Sequence, residues 1–84
     1  EGIVEKLRDI DTVEIAAFLR QKGKDVKVSL RAKQYADVAR IAASKKGGGH
    51  PRAAGYTEYD ITVAEAEKIA VRLAEKELEE CWKE

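Results

Sequence analysis

Apolar residues occupy every second position along two neighbouring stretches of the chain. In residues 12–20 they are Val13, Ile15, Ala17 and Leu19. This period of two is typical of a β-strand. A polar turn over residues 21–25 contains one glycine, and the alternation then resumes at Val26, Val28 and Leu30. The pattern predicts an antiparallel β-hairpin.

The second strand of this hairpin has two chemically different faces. Side chains alternate across a strand, so Lys27, Ser29 and Arg31 lie opposite the apolar residues. An Arg31 fork matches phosphate geometry, and the Ser29 hydroxyl supplies a further donor. The alternative is an exposed arginine on a half-buried hairpin with no specific role.

Helical patterns follow the hairpin. Asp37 is suited to cap a short helix that ends at Ser44. Residues 62–65 have the spacing of a capping box, which predicts a final helix with one apolar stripe. The stripe comprises Val63, Ala66, Ile69, Ala70, Leu73, Ala74, Leu78 and Trp82.

Two further segments have weaker patterns. Ile3, Val4 and Leu7 are spaced like one turn of a helix. Residues 53–59 suit a strand in which Gly55 marks a bulge or a close backbone approach. Together the elements predict an α/β (α+β) domain over residues 1–84. Its small mixed or antiparallel sheet is opened by a β-hairpin and covered by two to three helices.

Composition narrows the function classes. Sixteen basic and sixteen acidic residues cancel, so only local clustering can attract an anion. Such a cluster lies where Lys45, Lys46, His50 and Arg52 follow one another, with no acidic residue from 43 to 57. It favours an anionic ligand at the middle of the chain.

Cysteine and histidine are too few for two other kinds of site. Cys81 has no second cysteine for an internal disulfide, and one Cys with one His makes no zinc set. No apolar run approaches the roughly 20 residues of a membrane span, and no signal peptide is evident. We expect a cytoplasmic domain with no membrane contact, and the missing initiator Met suggests a piece of a longer protein.

The glycine run is the most informative segment. Gly47, Gly48 and Gly49 precede His50, and each glycine costs roughly 0.5–1 kcal/mol relative to Ala in regular structure. Successive backbone amides in a glycine loop can form a nest that binds phosphate. A flexible tether is the alternative, and a lone His such as His50 is more often structural than functional.

The segment Ser29-Leu30-Arg31, the short helix after it and the order Gly-Gly-Gly-His-x-x-Ala-Ala-Gly at residues 47–55 resemble the associated domain of DHH phosphoesterases. That family includes oligoribonucleases, bisphosphate nucleotide phosphatases, single-strand exonucleases and cyclic-dinucleotide phosphodiesterases. The resemblance implies a role in binding phosphate or substrate, and no catalytic role, for Ser29, Arg31, Gly47, Gly48, Gly49, His50 and Arg52.

The resemblance also implies partners. A DHH catalytic domain in the same parent chain would hold two Mn²⁺ ions, and this domain would hold no cofactor or metal. Ligands would be short single-stranded RNA or DNA, a nucleotide phosphate or a cyclic dinucleotide, and dimer formation stays open. This chain has Lys46 where the family frequently has a fourth glycine. A related domain of alanyl-tRNA synthetases matches less well, and a stand-alone nucleic-acid-binding or protein-interaction module is the alternative function.

Overall fold

The computed structural model describes residues 3–7 and 14–82 of the chain, with side chains from residue 14 to residue 80. These residues form five strands: β1 (Ile3–Leu7), β2 (Ile15–Lys22), β3 (Asp25–Ala32), β4 (Gly48–His50) and β5 (Ala53–Glu58). Two helices complete the described part, α1 (Val38–Ser44) and α2 (Val63–Trp82). The strands form one antiparallel sheet in the order β1-β2-β3-β5-β4. The predicted α+β class is confirmed.

The predicted hairpin is strands β2 and β3. Lys22 pairs with Asp25 across a turn in which Gly23 has a φ of 64°, a conformation that glycine adopts without strain. The register places Leu19 opposite Val28 and Ala17 opposite Leu30. All four are buried, so the alternating pattern identified the covered face of the sheet correctly.

Both helices pack on that covered face. The largest fully buried side chains are Leu19, Leu30, Val26, Val28 and Val38. Helix α2 contributes mainly small residues, Ala66, Ala70 and Ala74, so its backbone lies close to the sheet. Of the predicted stripe, Ala66, Ala70, Ala74 and Leu78 are buried and Val63 and Leu73 pack against the core. Ile69 is only half-buried, and the Trp82 side chain lies outside the described residues.

The two predicted helix caps are present. The Asp37 carboxylate accepts hydrogen bonds from the backbone of Ala39 at 3.0 Å and Arg40 at 3.2 Å. At the start of α2, the Glu65 backbone N–H donates to the Thr62 hydroxyl at 3.1 Å, and the Thr62 N–H donates to the Glu65 carboxylate at 3.3 Å. Each cap satisfies amides that have no partner within the helix.

Three sequence interpretations were wrong. Residues Ile3–Leu7 form an edge strand that pairs with β2, not a helical turn, so β1 and not the hairpin begins the sheet. Gly48–His50 is a short strand paired with β5, not an open loop. The acidic run over residues 75–84 is of a kind typical of a solvated helix face, but Glu77 within it is buried. Its carboxylate accepts the Asp37 N–H at 3.1 Å and pairs with Arg40.

The described helices include none that is long and apolar enough to cross a membrane.

Candidate functional site

The helix-free face of the sheet, here called the open face, arranges the candidate residues in rows that run across the strands. Directly opposite residues of antiparallel strands share a face. Arg31 lies opposite Ala53, and Ala53 lies opposite His50. This first row therefore brings together the guanidinium of Arg31 and the imidazole of His50, which are 19 positions apart in the chain, through strand pairing.

The geometry of the first row suits an anion. Arg31 and His50 are exposed, and only the small, half-buried Ala53 lies between them. Two strand spacings separate the backbones of Arg31 and His50, roughly 10 Å, which leaves room for a phosphate between the side chains. The Arg31 Nη1 donates to the Leu30 carbonyl at 3.0 Å, and Arg31 as a whole is exposed.

A second row of residues on the open face lies next to the first. Ser29 lies opposite Gly55, and Gly55 lies opposite Gly48. A Cβ on Gly55 would lie 3.0 Å from the Val28 carbonyl oxygen, so the predicted close backbone approach at Gly55 is confirmed. The half-buried Phe18 pairs with Ser29 on the other side. Across β2, β3, β5 and β4 the row therefore has one aromatic ring, one hydroxyl and two positions without side chains.

The structure explains the three consecutive glycines in different ways. A Cβ on Gly47 would clash with the Gly55 carbonyl oxygen, and one on Gly49 would lie 2.6 Å from the Ala53 carbonyl oxygen. Gly49 also has a φ of 144°. A Cβ on Gly48 would meet nothing within 4 Å. Packing accounts for Gly47 and Gly49, whereas Gly48 leaves space on the open face that packing does not require.

The strand conformation changes the expected binding chemistry. Successive N–H groups of a strand point in opposite directions, so Gly48–His50 does not form the predicted nest of convergent amides. The Gly47 N–H donates to the Ala42 carbonyl at 2.7 Å. An anion on the open face would therefore be held mainly by side chains, with space for it above Gly48 and Gly55.

Lys46 occupies the position after helix α1 that usually favours glycine. Its φ is 66°, and its N–H donates to the Ala43 carbonyl at 3.0 Å while the Gly47 N–H bonds Ala42. This pair of bonds is a Schellman motif, in which the left-handed residue is most often Gly. A lysine in this conformation costs about 1 kcal/mol.

Arg52 is directed away from the other predicted residues. Its Nη1 donates to the Ala36 carbonyl at 2.7 Å. The adjacent turn is also fixed by backbone bonds, since Ala32 N–H donates to the Arg52 carbonyl at 2.9 Å and Val38 N–H donates to the Pro51 carbonyl at 2.8 Å. Arg52 thus anchors the turn that follows His50.

Sequence reasoning missed a buried carboxylate. Glu14 is 3% exposed, and its Oε2 accepts three successive backbone N–H groups: Gln34 at 2.9 Å, Tyr35 at 2.7 Å and Ala36 at 2.9 Å. Burial alone would raise the pKa of Glu14, but these hydrogen bonds and the charge of Arg52 lower it below its ordinary value of 4.5. No local signal before β2 identifies such a long-range contact.

A cleft of about 700 Å³ adjoins the second row at the outer edge of β5. Its lining includes Ser29, Gly55, Lys27, Lys46, Thr57 and Glu58. The Lys45 Nζ lies 3.1 Å from the Glu58 Oε2 and forms an ion pair with it. This Oε2 atom accepts no hydrogen bond within the described residues.

The three tyrosines lie in different surroundings. Tyr56 is 5% exposed and packs in the hydrophobic core. Burial, and to a smaller extent the charge of Glu58, raises the Tyr56 pKa above its ordinary value. Tyr35 and Tyr59 are exposed.

Within residues 3–7 and 14–82, no group of three or more His, Cys, Asp or Glu is placed to hold a metal ion. The family model of the DHHA1 domain matches residues 1–80. No curated protein matches the chain.

Proposed function

Because the chain belongs to the DHHA1 family of DHH-associated domains, we propose that it holds the phosphate of a nucleotide or short single-stranded oligonucleotide for a DHH phosphoesterase domain. The ligand lies on the open face. The site consists of Arg31, His50 and Ser29 above the space left by Gly48 and Gly55.

The observation that carries this proposal is the first row. Strand pairing places Arg31 and His50 on one exposed face with only Ala53 between them. An arginine fork donates two parallel hydrogen bonds to a phosphate, and a histidine ring N–H adds a further donor. No acidic residue lies in the part of this row formed by β3, β5 and β4.

The contribution to the reaction is positioning. Fixing a phosphate between rigid strands reduces the entropy lost when the reacting groups meet, and cationic donors stabilise charge on the phosphate oxygens. The manganese ions expected with a DHH domain would supply the hydrolytic chemistry, and the described residues of this chain offer them no cluster of ligands. The role of this chain is to bind and orient the phosphate.

The test is an NMR titration of the chain with a 5′-phosphorylated dinucleotide, comparing native protein with Arg31→Gln and His50→Gln. Hydrogen bonds to charged groups contribute about 1.5–3 kcal/mol, so each variant should bind at least about tenfold more weakly. Arg72→Gln, which removes an exposed charge from α2, is the matched control and should bind normally.

The pattern of shifted signals separates this function from its alternative. Saturable shifts should centre on β3, β4 and β5. If Arg31→Gln and His50→Gln bind as well as the Arg72→Gln control, the open face is not the phosphate site. If native protein shows no saturable shift with any nucleotide, a protein-interaction module becomes the better account of the chain.

A further inference from the structure

Two lysines beside the cleft have no role in the first row. Lys27 precedes Ser29 on the same face of β3, and it lies opposite Thr57 of β5. Lys46 follows the C-cap residue of α1 and lines the cleft together with residues of β5. Both are exposed, and within the described side chains neither forms an ion pair.

The backbone of Lys46 is strained, and the fold does not need a lysine there. A glycine at a φ of 66° would close the same Schellman motif without the cost of a left-handed lysine. Backbone strain retained at a particular side chain is a pointer to function. The Lys46 side chain is therefore a candidate for a binding role.

Both lysines line the cleft that continues from the second row. The cleft also includes Ser29, Gly55 and Thr57, so it is continuous with the proposed phosphate site. Glu58 faces the same cleft, but Lys45 lies 3.1 Å from its carboxylate and offsets that charge. Lys27 and Lys46 leave the cleft with an excess of positive charge.

We propose that Lys27 and Lys46 form a second phosphate subsite, so that the domain selects ligands with two or more linked nucleotides over mononucleotides. This inference rests on the proposed function. The shared chemistry is a phosphodiester chain, from RNA or DNA, whose terminal phosphate lies at Arg31 and His50.

The separation of the two subsites sets the selectivity. Lys27 and Arg31 are four residues apart on β3, about 13 Å along the strand. A single phosphate is too small to contact both ends, whereas two or three linked nucleotides extend over this length. The half-buried Phe18 beside Ser29 offers an aromatic surface for an intervening base.

The experiment measures affinities of this chain for uridine 5′-monophosphate and 5′-phosphorylated triuridylate, with the deoxy forms as a second pair. Native protein should bind the trinucleotide at least about tenfold more tightly. Lys46→Gly and Lys27→Gln should each weaken trinucleotide binding by about fivefold and change mononucleotide binding less than about twofold. Each should also reduce the salt dependence of trinucleotide binding by about 0.7 in log–log slope.

Two controls separate binding from folding. Lys46→Gly removes the left-handed lysine, so its melting temperature should be equal to or above that of native protein. Lys68→Gln removes a charge from the exposed surface of α2 and should leave both affinities unchanged.

The outcomes distinguish the two proposals. Equal native affinity for mononucleotide and trinucleotide would overturn the second subsite and leave the proposed function standing. An equal loss for both ligands in Lys46→Gly would place Lys46 in the first site and also overturn it. Binding of neither ligand would refute both proposals. A difference between the ribose and deoxyribose pairs would identify which nucleic acid the subsite accepts.

Discussion

Gly48 and Gly49 are adjacent in β4, and alanine at these two positions should have opposite effects. An added Cβ on Gly48 meets nothing within 4 Å, and Gly48 is not among the positive-φ residues. An added Cβ on Gly49 would lie 2.6 Å from both the Ala53 carbonyl oxygen and the Ala54 Cα. The φ of Gly49, 144°, is also unsuited to alanine. We predict that Gly48→Ala preserves the fold and reduces ligand binding, whereas Gly49→Ala destabilises the fold.

The expected magnitudes follow from these contacts. Alanine restricts the unfolded chain more than glycine, so Gly48→Ala should change the free energy of unfolding by roughly 0 to +1 kcal/mol. Gly49→Ala adds a strained backbone, about 1–3 kcal/mol, to a backbone clash, and we expect a loss of at least about 3 kcal/mol. Domains of this size have roughly 4–13 kcal/mol in total.

Urea unfolding followed by circular dichroism measures the stabilities, and titration with a 5′-phosphorylated dinucleotide measures binding. Gly48→Ala should unfold at or above the native midpoint and bind at least about fivefold more weakly, because its methyl group fills space above the second row. Comparable destabilisation by both substitutions would refute the assignment of Gly48 to the open face. Native affinity in a stable Gly48→Ala variant would refute the need for that space.

Three further results are expected. Glu14→Gln should lower the free energy of unfolding by about 2–4 kcal/mol, because three backbone N–H groups lose a charged acceptor. The folded-state pKa of Glu14 is lowered, so native protein should lose stability as pH falls below about 4.5, and the variant should lose less in acid titrations. Tyr56→Phe removes a buried hydroxyl without a partner and should unfold at the native urea midpoint or above it. Burial raises the Tyr56 pKa, so native protein should lose stability above about pH 10 and Tyr56→Phe should lose less, whereas unchanged alkaline behaviour would contradict the burial. Glu77→Ala should cost about 2–3 kcal/mol in thermal unfolding, because the buried carboxylate links α2 to the Asp37 N–H and Arg40, and native stability would show that this link is dispensable.

Local patterns predicted the elements that local interactions define. The hairpin of β2 and β3 has alternating residues and a glycine at its turn, and both helices have capping residues within three positions of their starts. Strand β1 was missed because Ile3, Val4 and Leu7 fit a helical spacing as well, and only pairing with residues 16–20 decides between them. Strand β4 was missed because two of its three residues are glycines, which have low strand propensity.

The site was predictable in its residue types but not in its arrangement. The face of Ser29 and Arg31 follows from alternation within one strand. That His50 joins Arg31 depends on β5 lying between β3 and β4, a non-adjacent strand order that no sequence period encodes. The same limit explains why the position of Arg52 was not predicted. Arg52 is close to His50 along the chain, but its guanidinium donates to the Ala36 carbonyl on another segment.

The hydrogen bonds from Ala32 and Val38 to the turn carbonyls of Arg52 and Pro51 couple local motions of three segments. Because both bonds end on adjacent residues of one turn, we expect the turn, the end of β3 and the start of α1 to open as one cooperative unit. His50, directly before the turn, should then lose its position together with this unit. Hydrogen exchange at the Ala32 and Val38 amides should therefore report how often His50 loses its position. A ligand that bridges Arg31 and His50 should slow this exchange, although it contacts neither amide.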